Sequence, residues 1–280
     1  MLATRILTAA VLMPLTLAAL FLLPPRAFGV VMLGVVLAAA HEWGRLAGFA
    51  RGRAAIFLGG IVLTSAGLLL GPAGFDHGWP PEVILATCGL ATMFWLLVAT
   101  PWVVRRWSRR SPLAMTLVGW IVLAGAFVAL VELQARSPWL VLAAMAIVWI
   151  ADTAAYFSGR AFGRRKLAPE VSPGKTWEGV YGALAAGALY AAALVPFAGA
   201  AGFGGRVDAP AIVLWILLAL ALAAVSVVGD LFESLLKRQA GVKDSGKLLP
   251  GHGGVLDRTD ALLAAMPPAA LAATLFLHGA

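Results

Sequence analysis

The sequence predicts an all-α, polytopic integral membrane protein that forms a single membrane-embedded domain over residues 1–280. Three observations predict this class. Hydrophobic residues make up 61% of the chain and charged residues only 12%, whereas about a quarter of the residues in a soluble domain are charged. Apolar runs of nearly the length that a helix needs to cross a bilayer recur along the whole chain. The basic residues are concentrated in alternate gaps between these runs.

About nine apolar runs are interpreted as transmembrane helices, with Pro, Gly and Arg between them. The first run has no convincing small-x-small cleavage site before Pro24 and is followed by equally hydrophobic sequence. It is therefore expected to be a retained span and not a signal peptide. The predicted spans are 4–23, 27–45, 54–71, 82–103, 113–132, 138–157, 177–199, 210–230 and 261–278.

The basic residues predict the orientation of these spans. Four alternate gaps contain 17 of the 21 basic residues, and the positive-inside rule places such gaps in the cytoplasm. The N-terminus is then cytoplasmic and the C-terminus lies outside. Cytoplasmic loops that face anionic lipid also account for the formal charge of +8, so a nucleic-acid partner is not expected. The four gaps contain Arg45, Arg51 and Arg53; Arg105, Arg106, Arg109 and Arg110; Arg160, Arg164, Arg165, Lys166 and Lys175; and Lys237, Arg238, Lys243, Lys247 and Arg258. The alternate gaps contain Arg26, Arg136 and Arg206, and Arg5 precedes the first span.

Acidic residues are concentrated beside the last two of these gaps. A charged side chain near the centre of a bilayer costs about 2.5–3.5 kcal/mol, so a carboxylate within a span needs a reason. For Asp152, in VWIADTAAYF, the alternatives are a salt bridge between helices and the wall of a polar cavity that opens to the cytoplasm. The second is favoured because so many charges lie on that side. The acidic residues of this region are Asp152, Glu170, Glu178, Asp230, Glu233, Asp244, Asp257 and Asp260.

A stripe of polar side chains is predicted where VVGDLFESLLKRQ leaves the bilayer. Asp230, Ser234, Lys237 and Arg238 follow one another at steps of three, four or one residue, so they share one side of a continuing helix. The carboxylate would lie deepest, with the cations above it. A plain ladder of i, i+4 ion pairs is the alternative.

The loop that follows has the residues of a phosphate and metal site. Glycines around His252 allow unusual backbone angles and a close approach to phosphate. Asp257 and Asp260 lie three residues apart and present two carboxylates to the same side of a helix, with Arg258 between them. Mg²⁺ binds a few carboxylates together with substrate phosphate oxygens, and Lys and Arg bind the remaining phosphate charge. These residues predict a nucleotide-phosphate site.

Three other short patterns are weaker. Ser172 before Pro173 is a good helix start. Gly174-Lys175-Thr176 is similar to the end of a P-loop, but the required first glycine is replaced by Pro169, so no Walker motif is present. His41-Glu42 lacks the second histidine of a zinc-binding helix and is interpreted as an interfacial pair.

One long pattern resembles a known family. Its elements are Ser234-Leu-Leu-Lys237-Arg238, Lys243-Asp244, Pro250-Gly-His252-Gly253-Gly254 and Asp257-Arg258-Thr259-Asp260. It is similar to the signature of the phosphatidate cytidylyltransferases, also called CDP-diacylglycerol synthases. SPGKTWEG, ADTAAYFSGRAFG and HEWGRLAG are similar to further segments of bacterial members, so the resemblance covers nearly the whole chain. It implies a polytopic helical enzyme of phospholipid synthesis that converts CTP and phosphatidic acid to CDP-diacylglycerol and pyrophosphate.

The resemblance also implies roles for individual residues. Asp230 and Asp257 correspond to the metal-binding pair, and Mg²⁺ is the expected cofactor; a second, monovalent cation and a homodimer are left open. The enzyme is expected in the bacterial inner membrane, with the active site facing the cytoplasm. Catalytic roles are expected for Asp230, Asp257, Asp260, Lys237 and Arg258. Substrate-binding roles are expected for Asp152, Ser172, Lys175, Thr176, Glu178, Ser234, Arg238, Lys243, Asp244, His252, Gly253 and Gly254.

Other classes of protein account for fewer of these features. An ion-coupled transporter would bury Asp152 and Asp230 but has no need for five cations in the neighbouring loop. A CDP-alcohol phosphotransferase also relies on aspartates, but its own aspartate-glycine signature is absent from the sequence. A structural scaffold has no use for His252 within a glycine cluster.

Overall fold

The computed structural model describes residues 2–71, 75, 78–108, 111–197 and 208–276. These residues form ten α-helices, a π-helical segment, a short 3₁₀ segment and one two-stranded antiparallel hairpin. The helices are α1 (Leu2–Leu22), α2 (Pro25–Leu46), α3 (Arg51–Leu70), α4 (Pro81–Met93), α5 (Thr100–Val104), α6 (Pro112–Arg136), α7 (Pro138–Phe162), α8 (Trp177–Leu194), α9 (Ala209–Gln239) and α10 (Leu256–Phe276). The strands are β1 (Lys166–Ala168) and β2 (Ser172–Thr176). The π-helical segment (Phe94–Ala99) joins α4 to α5, and the 3₁₀ segment (Val195–Phe197) follows α8.

The polytopic helical architecture is confirmed, and each predicted span coincides with helix. The predicted span 82–103 covers α4, the π-helical segment and α5. Seven helices in the described part of the chain are long and apolar enough to cross a membrane; α1 and α8 are not among them. Arg109, Arg110 and Arg206 lie outside the described residues, as do the ends of the predicted spans 177–199 and 261–278.

Several helices begin where the sequence combines a capping residue with proline. Pro lies in the first turn of α2, α4, α6, α7 and α9, where no backbone N–H is needed for an intrahelical bond. The side chains of Ser111 and Asp208 accept hydrogen bonds from the N–H groups of Ala114 and Ala211, at 3.1 and 2.9 Å. These prolines therefore separate the spans by starting the next helix.

Helix α10 is the centre of the bundle and packs against α2, α4, α6, α7 and α9. The indole N–H of Trp95 donates to the Leu263 carbonyl at 3.1 Å, which joins the π-helical segment to α10. On α9, the buried ring of Phe232 lies at the centre of an aromatic cluster and contacts the rings of Trp43, Phe94, Trp95 and Trp102. The segment of α9 around Phe232 is thus held by well-packed neighbouring helices.

The prediction that Ser172-Pro173 starts a helix is wrong. These residues lie in β2, which pairs with β1 through Lys166 opposite Thr176. Helix α8 begins four residues later, and the Thr176 side chain accepts a hydrogen bond from the N–H of Gly179 at 3.2 Å. Ser and Thr are both good N-caps, and the fixed φ of proline is also compatible with an extended strand. Thr176, and not Ser172, therefore caps the helix.

The basic gaps meet at one end of the bundle. Arg106, in the gap after α5, forms an ion pair with Glu170 at the tip of the hairpin. The last turn of α9 reaches both of these gaps, since Gln239 donates to the Trp107 carbonyl at 2.8 Å and Arg238 donates to the Val171 carbonyl at 3.4 Å. We call this the basic end of the bundle.

The opposite end has its own buried contacts. Glu132, near the end of α6, accepts hydrogen bonds from the backbone N–H of Trp79 at 2.9 Å and from Arg136 at 2.7 Å. Gln134 donates to the Leu23 carbonyl at the end of α1, at 3.0 Å. Within the described residues, gaps that are poor in basic residues therefore pack together at this end.

Candidate active site

The first part of the site is built around Asp230, in the half of α9 that leads to the basic end of the bundle. Its Oδ2 lies 2.7 Å from the ammonium of Lys175, which comes from β2. Its Oδ1 accepts a hydrogen bond from the hydroxyl of Ser234 at 3.3 Å, as the i, i+4 spacing predicts. Asp152, on α7, is exposed and interacts electrostatically with both Asp230 and Lys175. The structure therefore brings three elements together at Asp230, and the role of Asp152 as a cavity wall stays a prediction.

The second part is centred on Lys237, two helical turns further along α9. Its ammonium lies 2.7 Å from Glu233 Oε2 and 2.7 Å from Asp257 Oδ1. All three side chains are nearly buried, with 13% of the Lys237 side chain exposed and 6% of each carboxylate side chain. The residues of the predicted stripe have separate partners: Asp230 pairs with Lys175 from the hairpin, while Lys237 pairs with both Glu233 and Asp257. The plain i, i+4 ion pair is present, between Glu233 and Lys237.

Asp257 is held by four hydrogen-bond donors. Its Oδ2 accepts from the N–H of Ser245 at 2.9 Å, from the Ser245 hydroxyl at 3.0 Å and from the N–H of Gly254 at 2.8 Å. Its Oδ1 accepts from Lys237. The side chain thus closes the signature loop, residues 243–256, onto the first turn of α10. A metal bound through Oδ1 would share this oxygen with the ammonium of Lys237 or displace it.

Asp260 extends the cluster towards Asp230. It lies near the carboxylates of Asp230 and Glu233, and its Oδ1 accepts a hydrogen bond from the N–H of Ala261 at 2.8 Å. One oxygen of the glutamate, Glu233 Oε1, is buried without a hydrogen-bond donor. Four carboxylates, from Asp230, Glu233, Asp257 and Asp260, therefore share only two paired ammonium groups, those of Lys175 and Lys237.

This donor set fits a hard divalent cation in its chemistry. Carboxylate oxygens are the ligands that Mg²⁺ prefers, and the unpartnered oxygen of Glu233 is of that type. In the part of the chain that the structure describes, no three His, Cys, Asp or Glu side chains are already arranged around a common point as metal ligands. A bound cation would therefore need substrate oxygens or water to complete its coordination.

The signature loop has the backbone that the glycines predict. Gly251 and Gly253 have positive φ angles of 75° and 85°. Pro250 and Gly251 occupy the centre of a tight turn, in which the N–H of His252 donates to the Leu249 carbonyl at 2.9 Å. The N–H of Leu249 in turn donates to the Gly253 carbonyl at 2.9 Å. Proline followed by glycine with positive φ is the sequence of a type II turn.

The remaining basic side chains of the signature surround the carboxylates. Lys243 is exposed, as are Asp244 beside it and Arg238 at the end of α9. Arg258 is exposed as well, and its Nε donates to the His252 carbonyl at 2.9 Å. The imidazole of His252 is half-buried, and its Nδ1 has no hydrogen-bond partner among the described residues. The predicted phosphate-binding role of these cations stays a prediction.

The predicted residues in and just after the hairpin differ in what their side chains contact. Thr176 is buried and caps α8. Glu178 accepts hydrogen bonds from the backbone N–H groups of Arg164 and Arg165, at 3.0 and 3.2 Å, which favour its ionised form. Ser172 lies in β2 and is half-buried. Of these predicted residues, Lys175 is the one whose side chain contacts a carboxylate of the cluster.

Three residues of this region were not predicted as part of the site. Glu233 could have been found, since it lies four residues before Lys237 on the same helix. Ser245 lies inside KDSGK, but its hydroxyl gives no periodic signal. Glu42 is distant in sequence, and its interpretation as one of an interfacial pair with His41 is wrong. Its side chain is buried, with 3% exposed, and contacts the signature loop.

Comparison with known proteins shows the family of the chain. The cytidylyltransferase family model matches residues 3–276. A phosphatidate cytidylyltransferase of Pseudomonas aeruginosa is 43% identical over 277 residues, which cover 95% of each chain. One of Haemophilus influenzae is 38% identical over 283 residues, covering 95% of this chain and 96% of the relative. The chain therefore belongs to the cytidylyltransferase family.

Proposed function

We propose that the protein transfers CMP from CTP to phosphatidic acid, giving CDP-diacylglycerol and pyrophosphate. The observation that carries the proposal is the cluster of four carboxylates and two lysines at the basic end of an apolar helical bundle. Relatives that match nearly the whole chain are named phosphatidate cytidylyltransferases. A charged cluster beside a bilayer suits a reaction between a soluble nucleotide and a lipid whose phosphate lies at the interface.

The basic end is proposed to face the cytoplasm of a bacterial inner membrane. In this arrangement nine helices cross the membrane, with the N-terminus inside and the C-terminus outside. The concentration of basic residues in the gaps of that end supports the orientation. CTP is a cytoplasmic nucleotide, so a site at this end is accessible to both substrates.

The reaction requires positioning and charge neutralisation more than covalent chemistry. A phosphate oxygen of phosphatidic acid attacks the α-phosphorus of CTP. One P–O bond forms there, and the bond between the α-phosphorus and the oxygen bridging to the β-phosphorus breaks. Pyrophosphate leaves with the electron pair of that bond. Negative charge grows on the leaving group, and the cations that surround the cluster are placed to offset it.

Individual residues divide these tasks. Lys175 and Lys237 already neutralise carboxylates at the centre of the cluster, and each can turn its ammonium towards phosphate oxygens. The guanidinium groups of Arg238 and Arg258 are assigned to phosphate, because both side chains are exposed and a guanidinium can bind phosphate in a bidentate manner. Gly253 and His252 shape the turn beside Asp257 and are assigned to the nucleotide or pyrophosphate.

The carboxylates are proposed to hold Mg²⁺. Asp230 and Asp257 would provide the principal ligands, with Asp260 and the unpartnered oxygen of Glu233 beside them. When bound, the cation supplies charge neutralisation at the phosphates. Before the cation binds, the ammonium groups of Lys175 and Lys237 keep the carboxylates close together.

The test is an assay of the purified protein with labelled CTP, phosphatidic acid and Mg²⁺. The expected products are CDP-diacylglycerol and pyrophosphate in equal amounts. Asp257→Asn is the matched variant, because the amide oxygen can still accept hydrogen bonds from Ser245 and Gly254. One charge and the contact of Oδ1 with Lys237 are lost, while the ammonium keeps Glu233 as its partner. The variant should fold and lose activity. Wild-type protein that moves ions across proteoliposomes without consuming CTP would instead indicate a transporter.

A further inference from the structure

Glu42 is a buried carboxylate in the last turns of α2, and it uses both oxygens on the signature loop. Oε1 accepts a hydrogen bond from the N–H of Val255 at 3.0 Å, and Oε2 accepts from the N–H of Leu256 at 2.9 Å. Oε2 also contacts the hydroxyl of Ser245 at 2.9 Å. Every partner is thus a donor, and the residues lie more than 200 positions away in sequence.

The contacts with Val255 and Leu256 replace a local helix cap. The first N–H groups of a helix have no intrahelical partner and usually bond to the side chain of a nearby Ser, Thr, Asp or Asn. Gly253-Gly254-Val255, which precedes α10, offers no such side chain. The carboxylate of Glu42 accepts these bonds instead, and its negative charge is favourable at the positive end of the helix dipole.

The contact with Ser245 connects Glu42 to Asp257. The Ser245 hydroxyl lies 2.9 Å from Glu42 Oε2 and 3.0 Å from Asp257 Oδ2, so it bridges the two carboxylates. A hydroxyl has one proton and donates it to one carboxylate at a time. The backbone N–H of Ser245 donates to the same oxygen of Asp257. The position of Ser245, and therefore that of Asp257, depends on Glu42.

Two glycines of the signature loop make this approach possible. A Cβ atom on Gly246 or on Gly254 would collide with the carboxylate of Glu42. Neither glycine has a positive φ angle. The space that Glu42 occupies therefore explains glycine at these two positions. A close approach of phosphate is not required to explain Gly254.

Contacts with neighbouring helices hold α2 in place, so Glu42 has a fixed position relative to the signature loop. The indole N–H of Trp43, the next residue, donates to the Met115 carbonyl on α6 at 3.0 Å. The same indole stacks on Phe232 of α9, with ring centroids 6.4 Å apart. The backbone of α2 beside Glu42 is thus tied to two helices of the bundle, one of which carries Asp230 and Lys237.

We infer that Glu42 is a positioning residue of the active site, which caps α10 and orients Asp257 through Ser245. The inference rests on the proposed function for its kinetic consequence, but its structural consequence can be measured without substrate. Glu42 touches neither substrate nor metal in this role. A residue that orients a metal ligand commonly changes activity about 10–100-fold when it is replaced.

The test compares Glu42→Gln with Glu132→Gln. Both glutamates are buried, at 3% and 2% exposed, and both accept a backbone N–H, but Glu132 lies at the opposite end of the bundle. In Glu42→Gln, an amide NH₂ must face N–H or O–H donors. We expect kcat per folded molecule to fall about 10–100-fold, and hydrogen exchange to become faster at the amides of residues 245–256. Glu132→Gln should change neither, whatever it does to the unfolding temperature.

A second variant tests the route through Ser245. Ser245→Ala removes the bridging hydroxyl, so the double variant Glu42→Gln/Ser245→Ala should lose clearly less activity than the product of the two single losses. Unchanged hydrogen exchange in residues 245–256 of Glu42→Gln would overturn the inference even if wild-type activity is confirmed. Independent, multiplicative losses would overturn the route through Ser245. A wild-type protein without CTP turnover would refute the proposed function, and hydrogen exchange would still test the role of Glu42.

Discussion

The ammonium of Lys175, on strand β2, lies 2.7 Å from Oδ2 of Asp230, on helix α9. Both side chains are partly exposed, at 25% and 30%, so the pair is open to exchange with a substrate or an ion. The contact joins the hairpin to the helix that also carries Glu233 and Lys237. It is also the one direct contact, among those described, between a hairpin cation and the carboxylate cluster.

Lys175→Ala should lower kcat/KM for CTP about 100-fold, since losing one well-placed donor to a developing negative charge typically costs that much. Lys166→Ala is the matched control, because the Lys166 ammonium donates to the Pro173 carbonyl within the same hairpin at 2.8 Å. Initial rates at varied CTP would be measured for both. Equal losses in the two variants would show that the hairpin matters as a whole, and wild-type kinetics in Lys175→Ala would remove this lysine from the site.

Replacing Lys237 and replacing Asp230 should affect the unfolding temperature and the activity differently. Lys237→Ala leaves Glu233 and Asp257 nearly buried without their shared counter-ion, and breaking such a pair costs about 3–5 kcal/mol. We expect a lower unfolding temperature together with lost activity. Asp230 is more exposed, so Asp230→Asn should lose activity with a much smaller change in the unfolding temperature.

The comparison is made by thermal unfolding in detergent and by CTP-dependent rates per folded molecule. Lys247 is exposed in the signature loop, and Lys247→Ala is a control that should change neither the unfolding temperature nor the rate. If Lys237→Ala unfolds at the wild-type temperature, the buried ion pairs do not hold this region together. Full activity in Asp230→Asn would remove Asp230 from the metal site.

The spans of this fold could be predicted because the length of an apolar run is a local property of the sequence. The two i, i+4 contacts on α9, from Ser234 to Asp230 and from Lys237 to Glu233, follow from helical spacing in the same way. The pairing of Lys175 with Asp230 could not be predicted, since it depends on how a hairpin folds over a helix. The same applies to Glu42, which reaches the signature loop only through the packing of α2.

The hairpin was missed for a different physical reason. The segment SPGKT has no alternation of apolar and polar residues, which is the usual signal of a half-buried strand. Ser172-Pro173 and Thr176 are both chemically able to start a helix. The choice between them is made by tertiary contacts, among them that of Arg238 with the Val171 carbonyl.

The proposed orientation predicts the accessibility of single cysteines. In a Cys88→Ala background, which removes the one buried thiol, Arg164→Cys should be protected from impermeant thiol reagents added to intact spheroplasts. Glu82→Cys, exposed at the start of α4 near the opposite end, should be labelled. Permeabilisation should make both react. Labelling of Arg164→Cys alone before permeabilisation would reverse the orientation and separate the site from cytoplasmic CTP.

Gly253 and Gly241 allow backbone strain to be separated from an effect on the site. Both have positive φ angles, 85° and 71°, so an alanine at either position costs about 1–2 kcal/mol in backbone strain. A Cβ on Gly253 would lie 2.7 Å from Asp257 Oδ2, whereas a Cβ on Gly241 would meet no atom within 4 Å. Gly253→Ala must therefore displace the carboxylate that closes the signature loop. We expect both variants to unfold at somewhat lower temperatures.

Activity per folded molecule should fall at least about 10-fold in Gly253→Ala, as for the loss of a supporting contact to a metal ligand, and should be unchanged in Gly241→Ala. Equal activities in the two variants would show that the position of Asp257 tolerates such a displacement, which is incompatible with its proposed place in the metal site.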